Sequence, residues 1–247
     1  MKNIESLLDQ LLKSVEKGGH VEKLQTINES LLTQYVIEIS EYFKIYPIEV
    51  ESYFFAENIF EDDTVHKSEL QKNRFGKFHF HRKGRDAENK ILFSRSGVDI
   101  CLSKNNEYYF GVLVRSAKIN NEDSIINGPQ LLAQRIYRFL CNNENLASLS
   151  LENISLLSNF ENSTTVLCNS ATRNVPIMIH SSRIGLNDKS EYSSLNLRSL
   201  CDLSISKQKE KDVLSYMEHN KITATPQNVK NILGYNSNWI LEQLTTK

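Results

Sequence analysis

The chain has 247 residues, of which 40% are hydrophobic and 24% are charged, and these proportions exclude an intrinsically disordered protein. Its net charge of -1 gives no overall basic character of the kind that many nucleic-acid-binding proteins have. No apolar run approaches the roughly 20 residues that a membrane-spanning helix needs, and the first segment alternates leucine with charged residues, unlike a signal peptide. We therefore expect a cytoplasmic protein that has no membrane partner.

The N-terminal part of the chain shows the periodicity of amphipathic helices. Apolar residues recur at the spacing of one helix face over residues 4–15, and a Gly-Gly pair ends that pattern. A second helical pattern covers Val21 to Tyr46, after which Pro47 forces the chain into an extended conformation. We predict an N-terminal helical hairpin over residues 1–46 that packs on the following core.

After this hairpin the sequence consists of short runs of β-branched and aromatic residues, which predict strands. These runs are IEVESYFF, GKFHFHR, ILFS, VDICLS, YYFGVLVRSA, TTVLC, VPIMIHSS and LRSLCDLSIS. Gly128-Pro129 precedes a helical face in QLLAQRIYRFL, and helical periodicity returns after Lys207. We predict an α+β fold, in which residues 47–207 form a single curled, mostly antiparallel sheet core with flanking helices. Residues 208–247 form a C-terminal helical extension.

One predicted strand carries a candidate catalytic carboxylate. In IEVESYFF, the alternation of a strand places Glu49, Glu51 and Tyr53 on the same face. An acid beside an aromatic surface has its charged form disfavoured by desolvation, and such a carboxylate can act as a general base on water. The alternative is a carboxylate on the exposed face of an ordinary strand.

A histidine pair raises the possibility of a metal-dependent hydrolase. His79 and His81 share a face of a predicted strand and could bind a metal if Asp99 or Glu49 joined them. An HxH pair alone is a weak signal, and a structural or phosphate-facing role is the favoured interpretation. The four cysteines are too widely spaced for a zinc site. We therefore expect no metal and no cofactor.

A local basic run stands out against the near-neutral composition. The segment from Lys67 to Arg85 contains seven lysine and arginine residues and a single acidic residue, Glu69. A patch of this charge could contact a phosphate backbone. The alternative is a basic loop that faces water.

Several segments, taken in chain order, follow the pattern of a known family. They are a strand ending in Glu51-Ser52-Tyr53, a loop histidine at His66, ILFSRSGVDICLS around Gly97, GVLVRSAKI with Arg115, Gly128-Pro129 before a helix, and SSRIGLNDKSEYSSLNLRSL with Arg183, Gly185, Leu197 and Arg198. In this order and spacing, over roughly residues 36–206, the chain resembles a divergent member of the alkyladenine (3-methyladenine) DNA glycosylases.

The resemblance implies an enzyme of base excision repair whose partner is double-stranded DNA with modified purines. Such enzymes flip the damaged base out of the duplex, stack it in an aromatic pocket and cut it from its sugar with water. A carboxylate orients the water and stabilises the positive charge on the sugar. By this resemblance Glu51 is that carboxylate. The base pocket would contain Tyr53, His66, Phe93 and Ser103. Contacts to DNA, or support of the site, would come from Ser96, Lys72, Arg74, Lys77, Arg82, Arg115 and Arg183.

Two departures from the family pattern leave a second interpretation open. Ser96 stands where the family places a tyrosine that fills the gap left by the flipped base. Ser103 stands where the family has an asparagine that screens purines. Phe78 or Phe80 could substitute for the missing tyrosine. The alternative function is a catalytically silent module on the same fold that binds nucleic acid or a nucleobase.

Overall fold

The computed structural model describes residues 4–14, 16–85, 91–120, 124–142, 150–187 and 189–245, and for residues 83, 85, 91–96, 244 and 245 it describes the backbone alone. The helices are α1 (Ile4–Leu12), α2 (Lys17–Gln34), α3 (Pro129–Cys141), α4 (Leu151–Ser163), α5 (Lys209–His219), α6 (Pro226–Leu233) and α7 (Asn238–Thr245). The strands are β1 (Tyr35–Ser40), β2 (Phe43–Ala56), β3 (Phe60–Glu61), β4 (Phe78–Arg85), β5 (Ile91–Cys101), β6 (Tyr108–Ile119), β7 (Ile125–Asn127), β8 (Leu167–Asn169), β9 (Ile179–Ser181) and β10 (Arg198–Leu200).

The protein has an α+β fold built on one curled antiparallel sheet, as predicted. The main strand order is β4-β5-β6-β2-β1-β8, while β3 and β10 also pair with β2, β7 pairs with β6, and β9 pairs with β10. The long strands β2 and β6 pair from Ile45 to Ala56 and are interrupted by irregularities around Pro47 and Glu49. Such bulges increase the local twist and accommodate a proline that cannot donate to the ladder. These irregularities lie one to four residues before Glu51 in the same strand.

The N-terminal helical hairpin forms, but its second helix is shorter than predicted. Helix α2 ends at Gln34, and residues 35–40 form β1, which pairs with β2 through Ile37 and Ile45. The prediction of helix as far as Tyr46 is therefore wrong. Tyr35, Val36 and Ile37 are buried as strand residues, because pairing with β2 and β8 satisfies the backbone and buries these side chains together. The sheet thus begins well before residue 47.

The C-terminal helices confirm the predicted helical extension and have a small apolar core of their own. This core consists of Val213, Met217, Val229, Leu233 and Ile240. Helix α5 also packs against β9, which fixes the extension to the edge of the sheet beside β10. Among the described helices, none is long and apolar enough to cross a membrane.

Candidate active site

A cavity of about 420 Å³ opens at one face of the curled sheet. Its wall comes from β2 and β6, from the loop over residues 64–71, from β4 and β5, and from the turn at residues 184–186. Four of the site residues predicted from sequence line it, namely Tyr53, His66, Arg82 and Arg115. The fold therefore brings together residues that are up to 62 positions apart in the chain.

Glu51 lies directly behind the wall of this cavity. Its side chain is fully buried, and its Oε1 accepts a hydrogen bond from the backbone N–H of Ile184 at 2.8 Å. Its Oε2 accepts from Tyr53 Oη at 3.0 Å and from Arg115 Nη1 at 3.2 Å. The prediction that Glu51 and Tyr53 share a face is confirmed. All three donors line the cavity, so they link the carboxylate to it.

The surroundings of Glu51 favour its protonated form. Desolvation by burial raises the pKa of Glu51, and this effect outweighs the lowering by Arg115, the Ile184 N–H and Tyr53, so the net pKa lies above its ordinary value. The pKa of Tyr53 is also raised, by burial first and then by the charge of Glu51, so Tyr53 stays protonated and donates its O–H. A carboxylate with a raised pKa is a better proton acceptor near neutral pH, as a general base requires.

A chain of buried charges connects Glu51 to the C-terminal extension. Arg115 Nε lies 3.3 Å from Glu49 Oε1. The same oxygen accepts a hydrogen bond from Arg198 Nε at 2.6 Å. Arg198 is fully buried and donates through Nη1 and Nη2 to both oxygens of Asp212 in α5, at 2.7 and 2.9 Å. Buried charged side chains are tolerated only when they are paired. This series of ion pairs therefore holds Arg115 in position beside Glu51.

The two histidines of the HxH pair share the cavity face, as predicted, but contact different carboxylates. His81 Nε2 lies 2.8 Å from Asp99 Oδ1, whereas His79 Nδ1 lies 3.3 Å from Glu161 Oε1. Within the described ranges, no group of three or more His, Cys, Asp or Glu side chains is placed to hold a metal ion. Burial lowers the pKa of His81, but the charge and hydrogen bond of Asp99 outweigh burial and raise it above its ordinary value.

Four side chains of the basic run, which the sequence analysis considered for phosphate contact, form hydrogen bonds or ion pairs with other residues of the protein. Each of its four candidate contact residues has an acceptor: Lys72 pairs with Glu69, Arg74 donates to the carbonyls of Leu70 and Glu161, Lys77 donates to the carbonyl of Asn162, and Arg82 pairs with the Glu161 carboxylate. A phosphate backbone would have to compete with these partners. The phosphate contact of this run therefore stays a prediction.

Arg183 supports the site from within the fold. It donates to Asp62 Oδ2 at 2.6 Å and to the carbonyls of Ser52 and Tyr192, and its guanidinium lies 4.7 Å from the centre of the Tyr53 ring. Because its side chain is fully buried in these contacts, it is not exposed to a phosphate. These contacts are compatible with the supporting role among the two that the resemblance implies.

The remaining predicted residues lie elsewhere. Ser103 is fully buried, its Oγ accepts from the backbone N–H of Phe110 at 2.9 Å, and it is not among the residues lining the cavity. Its predicted place in the base pocket is therefore not observed. The side chains of Phe93 and Ser96 lie outside the described part of the chain. The suggested substitutes Phe78 and Phe80 are both buried in the hydrophobic core.

Gly97, the central glycine of the family-like segment, sits against the cavity. A Cβ at this position would lie 2.5 Å from Leu113 Cδ1, 3.3 Å from Pro129 Cβ and 3.7 Å from His81 Cε1, and the backbone has a φ of +151°. Any larger residue would therefore push into the side chains that line the cavity.

Comparison of the chain with known protein families and with curated proteins found no matching family model and no matching protein. The resemblance to the alkyladenine glycosylases therefore stays a prediction from the ordered segments of the sequence.

Proposed function

We propose that this chain is a DNA glycosylase that hydrolyses the N-glycosidic bond of alkylated or deaminated purines, with Glu51 as its catalytic carboxylate. The observation that carries the proposal is the arrangement around Glu51: a buried carboxylate with a raised pKa, held by Tyr53 and Arg115 at the wall of a cavity that also contains His66. A carboxylate that acts as a general base near neutral pH needs a pKa that is raised in this way.

The cavity has the size and chemistry to hold a purine. Small-molecule sites occupy roughly 300 to 1,000 Å³ and combine apolar or aromatic walls with a few polar groups, and this cavity measures about 420 Å³. The rings of Tyr53 and His66 provide surfaces on which a flipped base can stack. Gln71, His81 and Asp99 lie in the same wall and supply hydrogen-bonding groups for the edges of the base.

The hydrogen bonds of Glu51 leave one acceptor position on Oε1 that a water molecule could use. Oε2 accepts two hydrogen bonds, whereas Oε1 accepts one, from Ile184, and keeps a lone pair. In the proposed reaction the bond from sugar to base breaks, and its electron pair leaves with the base. The water oxygen then bonds to the sugar carbon and gives a proton to Glu51. The ionised carboxylate also stabilises the positive charge that develops on the sugar.

A second function is favoured by one feature of the same geometry. Glu51 is fully buried and does not itself line the cavity, so a bound base would contact Tyr53 and Arg115 first. A protein with this arrangement could bind a nucleobase or nucleic acid without cutting it. This silent module is the alternative to the glycosylase.

The two functions are separated by an assay for base release. Purified protein is incubated with duplexes that carry hypoxanthine, ethenoadenine or 3-methyladenine, and abasic sites are counted. Glu51→Gln removes the charge and keeps the shape, while Glu49→Gln is the matched control, because Glu49 also contacts Arg115 but is directed to Arg198 and Ser116. The proposal expects release that Glu51→Gln reduces by roughly 10² or more and that Glu49→Gln reduces less. Binding without release from any duplex would support the silent module instead.

A further inference from the structure

A second depression lies beside the cavity, across the turn that carries Gly185 and Leu186. This groove has a volume of about 630 Å³, and Gly185 and Leu186 line both it and the cavity. Its wall is polar and includes Ser182, Ser190, and Gln208 and Lys211 at the start of helix α5. A ligand that fills the cavity can therefore continue into the groove over a single turn.

The groove contains two lysines that pair with no acidic side chain of the described residues. Lys189 and Lys211 both line it and are exposed, and neither ammonium group has an ion-pair partner within the described part of the chain. The acidic residue in the groove wall, Glu191, pairs with Lys17 at 3.0 Å. Among the described residues, the groove thus offers two lysines without an ion-pair partner, whereas the four candidate contact residues of the basic run already have acceptors.

We infer that this groove binds the phosphodiester backbone of the DNA strand whose base enters the cavity, with Lys189 and Lys211 as the phosphate contacts. The inference rests on the proposed function for the identity of the strand. It follows from three features: the groove adjoins the cavity, its two lysines have no ion-pair partner among the described residues, and lysine ammonium groups bind phosphates as point charges. Lys211 belongs to α5, so the C-terminal extension contributes directly to DNA binding.

The salt dependence of duplex binding tests this inference. Each phosphate neutralised by a lysine contributes about -0.9 to the slope of log affinity against log salt concentration. The variant Lys189→Gln/Lys211→Gln is compared with Lys221→Gln/Lys230→Gln, which removes the same charge from exposed lysines of the same extension outside the groove. The probe is a duplex with a single hypoxanthine, and thermal melting checks that both variants are folded.

We expect the groove variant to bind the duplex more weakly and to lose about 2 from the magnitude of the salt slope, whereas the control keeps the wild-type slope. An unchanged slope in the groove variant, an equal loss in the control, or no duplex binding by the wild-type protein would each overturn the inference. Base release is measured separately. If the wild-type protein releases the base but the groove variant keeps the wild-type salt slope, only the inference about the groove is refuted. If the groove variant has a reduced salt slope but the wild-type protein releases no base, only the proposed hydrolytic function is refuted.

Discussion

Replacement of Arg115 by glutamine is expected to destabilise the fold in a way that depends on pH. Arg115 lies 3.2 Å from Glu51 and 3.3 Å from Glu49, and both carboxylates are buried. After the substitution Glu49 keeps Arg198, but Glu51 keeps only the neutral donors of Tyr53 and Ile184. Removing one partner of a buried ion pair costs about 3 to 5 kcal/mol. We expect a loss near the lower end, about 3 kcal/mol at pH 7.

The dependence on pH follows from the pKa of Glu51. Arg115 lowers this pKa, so Arg115→Gln raises it further above the ordinary value of a glutamate. A carboxyl group whose folded pKa is raised costs stability when it is ionised, and this cost disappears as the pH falls and the group binds a proton. The difference in unfolding free energy between wild type and Arg115→Gln should therefore shrink as the pH falls from 7 towards 4.5.

Urea denaturation at several pH values measures this difference. The double variant Glu51→Gln/Arg115→Gln removes the carboxylate together with its cation, and it should recover at least about 1 kcal/mol of the loss at pH 7, because the two residues are in direct contact. A loss below about 1 kcal/mol for Arg115→Gln, the size typical of an exposed pair, would refute the reasoning. So would a loss that is the same at every pH.

Two further predictions concern the cavity wall. Gly97→Ala should lose about 1 to 3 kcal/mol more in unfolding free energy than Gly185→Ala, because a Cβ at 97 lies 2.5 Å from Leu113 whereas one at 185 meets no atom within 4 Å; equal losses in urea denaturation would disprove the clash. NMR titration should give His81 a pKa above its ordinary value, and Asp99→Asn should lower it. Since a raised histidine pKa stabilises the fold below that pKa and the benefit is lost as the pH rises, Asp99→Asn should cost more stability at pH 6 than at pH 8, and an unchanged His81 titration would count against the pair.

The parts of the fold that could be predicted are those with strong local periodicity. The apolar stripe of α1, the alternation in β2 and the helical pattern after Lys207 all correspond to observed elements. The boundary between α2 and β1 could not be located, because Leu31, Tyr35 and Ile39 fit a helical spacing as well as they fit a strand. Pairing with the distant strand β8 decides between the two. Tertiary contacts of this kind override local propensity.

Helix α4 was missed, although its start carries a recognisable signal. The Oγ of Ser150 accepts a hydrogen bond from the backbone N–H of Asn153 and caps the helix. The apolar periodicity of residues 151–163 is too weak to predict a helix. Its omission matters for the site, because Glu161 of α4 is the carboxylate that engages Arg82 and His79.

Contacts between site residues could be predicted when both residues lie on one strand. Contacts between residues of distant segments could not. Strand alternation sufficed to place Tyr53 beside Glu51. The partner of Arg198 is Asp212 in the C-terminal extension, and that of Arg183 is Asp62 in a distant loop. Nothing in the local sequence of either acid indicates these contacts. For the same reason, a count of charges could not show that Arg82 pairs with Glu161 and that Lys77 donates to the carbonyl of Asn162, both far along the chain.

The most direct measurement of the central claim is the single-turnover rate of base release as a function of pH, for the wild-type protein and for Glu51→Gln. If Glu51 acts as the base, the wild-type rate should increase with pH through one ionisation above the ordinary pKa of a glutamate, since the carboxyl group must lose its proton to work. Glu51→Gln should reduce the rate by roughly 10² to 10⁴ and lack this ionisation. A wild-type rate that Glu51→Gln leaves unchanged, or no release from any modified duplex at any pH, would contradict the account.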